Sequence, residues 1–421
     1  MLLIKNISQV ITLSNGPIPR VGDAMSDLGI IENGAILVHG DRIVWVGSAK
    51  DIPVREPGVR YQTLDGVGLD LIALPGFVDS HTHPVFAGAR IEEFDLRCQG
   101  KNYQEIAAEG GGILKSVEQF RKATIEQLLE NTERNFRQFL NHGTTTIEAK
   151  SGYGLTLDDE LKSLRVLSAL NERYRLDVVP TFLGAHAIPE EHVHSREEYI
   201  RKLIQIMIPR VAHECLAQYC DVFCEKGFYS VKEARSILLA AKAAGLGMRI
   251  HADVLGRNGG AQLAAEIGVR SADHLRWINE SDIEALKQSG VLATLLPGPT
   301  FNLGLERHAP ARKLIAAGIP VALATDFNPG TCYTMNMQII LSFACRQMRM
   351  SPAEAITAAT INSAYSLGLA DKIGTIEEGK QADIVLMDVS DYRELPYFFG
   401  VNHCTVTIKK GSIVFNRLEQ P

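Results

Sequence analysis

The sequence predicts an α/β protein, a (β/α)8 TIM-like barrel flanked by a small β-sandwich built from both termini. Three observations predict it. The central segment alternates short apolar runs with long amphipathic stretches, as a parallel sheet with helical crossovers requires. Eight such runs can be counted, enough to close a barrel. The two ends read instead as brief strands cut by Gly and Asp turns, and neither holds enough strands for a core of its own. Residues 1–70 together with 374–421 are therefore expected to form one composite β-sandwich domain, and 71–373 the barrel.

Composition narrows the function classes. A chain of 421 residues with 46% hydrophobic and 22% charged residues supports a large core. A net charge of −6 without a clustered basic face argues against nucleic acid as a partner. The opening Met1-Leu2-Leu3-Ile4-Lys5-Asn6 lacks the marks of a signal peptide. No apolar stretch approaches the roughly 18 residues of a membrane span, so a cytoplasmic protein without membrane contact is expected. The seven cysteines are scattered and odd in number, as suits reduced thiols. Cys215, Cys220 and Cys224 cluster without a zinc-knuckle spacing and read as thiols packed in a core.

Taken in order, the terminal strands are expected at Val10–Leu13, 34–47, 382–387 and 406–415. The barrel strands are expected at Leu71–Ser80, Thr144–Ala149, Val178–Ala185, Asp221–Cys224, Gly247–Ala252, Ser271–Leu275, Val291–Leu296 and Pro320–Thr325. Helices fall between them. Thr124 with Gln127 makes a capping box that opens a helix ending near Gly143. Leu157, Leu161, Leu164 and Leu167 recur at helical spacing, and Ser351-Pro352-Ala353-Glu354 opens a helix that runs toward Gly368.

A barrel of this kind carries its chemistry at the C-terminal ends of its strands. Those ends are unusually polar: His81 and His83, Glu148 and Lys150, His186, Glu225, His251, His274 and Asp326. In His81-Thr82-His83 the imidazoles sit at i and i+2, so both rings face one side of the strand. His81, His83, His251 and Asp326 would hold one divalent ion and leave room for water. Such an ion lowers the pKa of bound water from about 15.7 to about 7. Asp326 would take the water's proton and return it to a leaving nitrogen, and His274 would orient the water or polarise a carbonyl.

The pattern of His-x-His after the first strand, His after the third, fifth and sixth, and Asp after the eighth resembles the amidohydrolase superfamily, metal-dependent barrels with a flanking β-sandwich. More narrowly, four motifs are similar to those of the imidazolonepropionase family: Glu148-Ala149-Lys150-Ser151-Gly152-Tyr153-Gly154-Leu155, Phe182-Leu183-Gly184-Ala185-His186, Asp221-Val222-Phe223-Cys224-Glu225-Lys226-Gly227 and Ala324-Thr325-Asp326-Phe327-Asn328-Pro329-Gly330. The similarity runs from about Leu74 to Gly400. It implies hydrolysis of the cyclic amide 4-imidazolone-5-propanoate to N-formimino-L-glutamate in histidine degradation, with zinc or iron as the metal and a homodimer as the assembly. It also implies substrate contacts. Arg90 would grip the propanoate carboxylate, in keeping with its bidentate donor geometry, with Tyr103 assisting. Tyr153 and His186 would contact the ring. Asn328, Gly330 and Thr331 would offer N–H groups and a hydroxyl to an anion.

One position departs from the family. Its members carry Glu or Gln three residues after the fifth-strand histidine, where this chain has Val254. Valine makes no hydrogen bond to a polar ring, so Asp253, Glu225 or a water would have to substitute or the substrate would shift. A related hydrolase or deaminase acting on another small ring is the alternative reading. A non-catalytic scaffold would be expected to lose metal ligands, and none is missing. Many relatives bridge two ions with a carboxylated lysine after the fourth strand, and Lys226 is nearby, but Glu225-Lys226-Gly227 follows the single-metal pattern, so one ion per chain is expected.

Overall fold

The computed structural model describes residues 1–53, 58–102, 105–106 and 109–418. The N-terminal part supplies β1 (Leu2–Ile11), β2 (Ile30–His39), β3 (Arg42–Ser48), β4 (Gln62–Asp65) and β5 (Ile72–Pro75). The centre supplies β6 (Phe77–Asp79), β7 (Thr144–Lys150), β8 (Asp177–Ala185), β9 (Tyr219–Cys224), β10 (Gly247–Ala252), β11 (Ser271–His274), β12 (Leu292–Leu295) and β13 (Val321–Leu323). The C-terminal part adds β14 (Ile384–Met387), β15 (Cys404–Lys409) and β16 (Ser412–Asn416).

Strands β6 to β13 pair in chain order and all in parallel, with helices in the crossovers. The ring closes beyond the ends of its first and last strands. The Asp326 N–H donates to the His81 carbonyl at 3.0 Å, the His83 N–H to the Phe327 carbonyl at 2.8 Å, and Thr82 bridges Phe327. Buried Asp79 reinforces the seam, accepting from the Thr325 N–H at 3.0 Å and its hydroxyl at 2.5 Å. The barrel thus closes through the residues singled out for metal binding.

Strands from both termini interleave in one mixed sheet of order β16-β15-β14-β5-β1-β2-β3, with β4 beside β1. Its two faces are buried differently. Leu71, Ala73, Ile384 and Leu386 pack into a small core with Leu2, Ile4, Ile36 and Ile408. Ile72, Leu74, Val385 and Met387, the alternate residues of the same strands, pack into the core of the barrel.

This double burial explains one difference from expectation. Leu71–Ser80 is not one barrel strand: Ile72–Pro75 belongs to the terminal sheet and Phe77–Asp79 to the barrel. Both pieces are buried on both faces, so the run is unbroken in apolar character and gives no sign of the division. The switch falls at Gly76. Its N–H donates to Asp383 of the terminal sheet at 3.0 Å, whereas the next N–H, of Phe77, donates to Gly143 beside the barrel at 3.0 Å.

The expected helices form at Ile125–Asn141, with the Thr124–Gln127 capping box, and at Leu157–Arg173. The helix expected to run from Ser351 toward Gly368 is instead two, Pro352–Ala359 and Ile361–Ser366. It breaks at Thr360, whose φ of −127° and ψ of −96° leave the helical region and whose hydroxyl bonds back to the Ile356 carbonyl at 2.6 Å. Cys220 and Cys224 are buried thiols of β9, but Cys215 is exposed rather than packed in the core. Among the described residues no helix is long and apolar enough to cross a membrane.

A Cβ on Gly76 would lie 2.3 Å from the Thr145 hydroxyl oxygen and 2.4 Å from its methyl, both on a stiff β-branched side chain within β7. Gly76→Ala is expected to cost about 1–3 kcal/mol through overpacking. Urea unfolding checks this, as a lowered midpoint at unchanged slope.

Candidate metal centre and substrate pocket

His81 and His83 extend β6, His251 lies in β10, His274 ends β11 and Asp326 follows β13. The barrel brings their rings together. His81 lies 4.5 Å from His251 and 5.3 Å from His83 between ring centroids, and His251 lies 5.2 Å from His274. The Asp326 carboxylate closes the group, with Oδ1 3.6 Å from His81 Nε2 and 3.4 Å from His83 Nε2, and Oδ2 4.0 Å from His274 Nε2. Donor atoms of His81, His83 and His251 lie within 4.8 Å of one another, as do those of His81, His274 and Asp326.

These atoms fit a metal. His81 Nδ1 donates to Asp273 at 2.6 Å and His251 Nδ1 to Asp221 at 3.1 Å, which leaves each Nε2 as a lone-pair donor. The buried His81 Nε2 has no hydrogen-bond partner. Burial first, then neighbouring positive groups, holds His81 and His83 well below the usual imidazole range, and burial brings His274 down to about 3. Neutral imidazoles are what ligation needs.

The charge beneath the rings points the same way. Lys150 Nζ lies 2.6 Å from Glu148 and 2.8 Å from Asp221, and Arg249 lies 3.6 Å from Asp273. With Asp326, four buried carboxylates face two buried cations, an excess that one divalent ion balances. Burial pushes a further carboxyl, Asp79 in the closure seam, up to about 7.

A cavity of about 700 Å³ opens above the cluster, lined by His83, Arg90, Tyr153, His186, Val254 and Arg276 among others. Arg90 is buried, with Nε 3.2 Å from Glu93 and Nη1 donating to the Ser116 hydroxyl at 2.8 Å. Its Nη2 rests where a Cβ on Gly330 would lie 1.7 Å away, so only glycine makes this cradle. His186 stacks on His83 at 5.2 Å and 19°. Its Nδ1 donates to the Gly152 carbonyl at 3.0 Å, leaving Nε2 as an acceptor. Tyr153 is buried 5.4 Å from His186, on a loop whose Gly152, Gly154 and Leu155 N–H groups all donate to Glu160. Tyr103 lies outside the described residues.

The turn after Asp326 differs from expectation. The N–H groups of Gly330 and Thr331, expected to face an anion, both donate to Asn328 Oδ1, at 2.9 and 2.7 Å. Asn328 Nδ2 in turn donates to the Asp326 carbonyl at 2.7 Å and to the Thr331 hydroxyl at 2.8 Å. The turn is therefore internally satisfied. Asn328 and Thr331 reach the pocket wall, while Gly330 makes room for Arg90.

Both acids beside Val254 are engaged by backbone N–H groups. Glu225 accepts the N–H groups of Lys226, Val254 and Leu255, and Asp253 those of Asn258, Gly259 and Ala261. Sequence reasoning gave no role to Asp221, Asp273 or Arg249, the buried groups that orient and balance the histidines. For Asp221 and Arg249 the signal was an ionisable residue inside a largely apolar strand.

Three imidazoles and a carboxylate on the strand-end rim of a parallel barrel, beside a sheet made by both termini, define a metal-dependent hydrolase of the amidohydrolase class. The model of the amidohydrolase family matches residues 72–414. Solved structures show the same fold: an adenosine deaminase from Xanthomonas campestris with bound zinc (TM-score 0.73, 19% identity, 99% of this chain and 93% of that one) and E. coli guanine deaminase (TM-score 0.73, 18% identity, 99% and 100%). Imidazolonepropionase of Solibacter usitatus is 47% identical over 412 residues, 98% of each chain. That of Alkaliphilus metalliredigens is 44% identical over 416 residues, 99% of this chain and 98% of that one. The chain belongs to the imidazolonepropionase family.

Asp273→Asn removes the acceptor charge behind His81 while keeping its shape. Metal affinity is expected to fall about 10–100-fold. Metal content of the purified variant after dialysis against a graded chelator checks this.

Proposed function

We propose that this chain opens the ring of 4-imidazolone-5-propanoate with water to give N-formimino-L-glutamate, using one zinc or iron ion held by His81, His83, His251 and Asp326. The observation that carries the reading is the buried Arg90 guanidinium, which shares a single cavity with the histidine cluster. A substrate that places a carboxylate on Arg90 and a scissile amide over the cluster matches a short acid on a small cyclic amide.

A metal ion held by His81, His83, His251 and Asp326 would supply Lewis acidity, polarising the amide carbonyl and making water acidic enough to deprotonate. Asp326 takes the proton from the attacking water as its oxygen bonds to the carbonyl carbon, and delivers that proton to the ring nitrogen as the carbon–nitrogen bond breaks. Burial raises its carboxyl above the usual range against the pull of His274 and His251. His274 is placed to donate to the carbonyl oxygen as it gains charge. His186 Nε2 accepts a ring N–H, and Tyr153 packs beside it. Buried carboxylates behind His81 and His251 hold the rings still through the reaction.

The purified, metal-loaded enzyme is expected to convert the imidazolone to formiminoglutamate, followed by loss of the ring chromophore and identification of the product. Turnover of an aminopyrimidine or a hydantoin without turnover of the imidazolone would overturn the reading. Asp326→Asn is expected to lower kcat by about 10²–10⁴. Arg90→Met should act mainly on KM, raising it about 10-fold or more.

A further inference from the structure

The rim of the pocket carries a second guanidinium that the reaction above leaves unused. Arg276 follows β11 by two residues, on a strand three places around the barrel from the one that leads to Arg90. It is 6% exposed and lines the same cavity. Nε donates to the Arg307 carbonyl at 2.9 Å and Nη1 to the Val254 carbonyl at 2.8 Å. Arg307 returns the bond, its Nε donating to the Arg276 carbonyl at 2.8 Å, and rests 4.4 Å from the Trp277 ring centroid. This reciprocal clasp fixes the plane of the Arg276 guanidinium.

It also leaves one nitrogen over. Among the described residues, Nη2 has no hydrogen-bond partner, and no carboxylate lies within ion-pair distance of Arg276. Glu225 is occupied by backbone N–H groups and Asn258. A buried guanidinium with no counter-charge is costly unless a ligand completes it. Beside it, Val254 contributes its backbone to the clasp and only a methyl pair to the pocket.

The chemistry of the two positions is complementary. Guanidinium has donors only, so Arg276 can serve a lone pair on a ligand but not an N–H. His186 Nε2, in the tautomer fixed by Gly152, can serve an N–H but not a lone pair. We infer that Arg276 is a specificity-determining residue whose Nη2 donates to an acceptor on the substrate ring, so that the site selects cyclic amides presenting an unprotonated ring nitrogen or a 2-oxo oxygen on that edge. The inference deepens the proposed function and relies on it for the carboxylate at Arg90.

The test uses the full-length, metal-loaded protein, with Arg276→Met and Arg276→Lys. Two competitive probes carry the same propanoate: a hydantoin, with oxygen at C2, and an imidazolidin-4-one, with only hydrogens there. In the wild type the hydantoin should bind about 10-fold tighter or more, and Arg276→Met should erase that preference. For the imidazolone, Arg276→Met should raise KM about 10-fold with kcat within about 3-fold and metal content unchanged, and Arg276→Lys should recover part of the loss. A KM effect without a hydantoin preference assigns the contact to the ring nitrogen, and a preference assigns it to the 2-oxo edge. Equal binding of both probes together with an unchanged KM in Arg276→Met overturns the inference. So does a variant that loses kcat and metal while keeping wild-type selectivity, since that marks a structural role. A wild type inert toward the imidazolone that still shows the Arg276-dependent probe preference would sink the proposed function and leave this inference standing.

Discussion

Everything at the end of this barrel depends on how four buried carboxylates are balanced. Glu148, Asp221, Asp273 and Asp326 are all buried, and burying an unpaired carboxylate costs several kcal/mol even after relaxation. Lys150 and Arg249 offset part of that cost from below. Burial alone would raise Asp221, but His251 and Lys150 beside it hold it well below the usual carboxylate range. Burial alone would lower Lys150, but Asp221 and Glu148 hold it up. Two negative charges remain at the face where the imidazoles present their lone pairs. The same arithmetic that makes the network tolerable makes the histidine cluster a place for a divalent cation.

Closure of the barrel and construction of the site are one event. The hydrogen bonds between Asp326 and His81, and between His83 and Phe327, join the first and last strands and set the ligand-bearing backbones against each other. Asp79 ties Thr325 into the same seam. A change that loosens the seam moves the ligands, and a change that expels the ligands' charge balance strains the seam. Binding energy for the ion is in this sense also folding energy.

The eight barrel strands, the long helices and the strand-end residues were legible because period and position carry them. What was not legible has physical reasons. Gly76 divides a run that is apolar throughout because both sheets bury both faces. The helix after Ser351 breaks at Thr360 through a side-chain bond to the backbone, a choice that propensity does not decide. Asp273 and His274 are consecutive, so strand alternation would send them to opposite faces. Both nevertheless serve the site, Asp273 behind His81 and His274 at the pocket, because His274 and Leu275 leave the strand with φ of 74° and 57°. Asp253 and Asp326 do the same, at 52° and 53°. Such backbones cost about 1–3 kcal/mol each and persist where the surroundings overdetermine them. Sequence shows the residue at a strand end but not the turn that aims it.

That difference separates what this architecture holds constant from what it lets vary. His81, His83 and Asp326 are wired into barrel closure and His251 into the charge network, so the cluster cannot drift without cost to the fold. Val254 is held differently. Its N–H donates to Glu225 and its carbonyl accepts from Arg276, and neither bond depends on its side chain. Any residue compatible with that backbone can stand at 254 without disturbing these two bonds. The Arg276 clasp is likewise made to carbonyls, which every residue supplies. The 254 backbone and the Arg276 clasp thus rest on bonds to backbone groups, while the histidine cluster rests on particular side chains, Asp273 behind His81 and Asp221 behind His251. A change at 254 or 276 can therefore alter the pocket wall while leaving the supports of the histidine cluster in place.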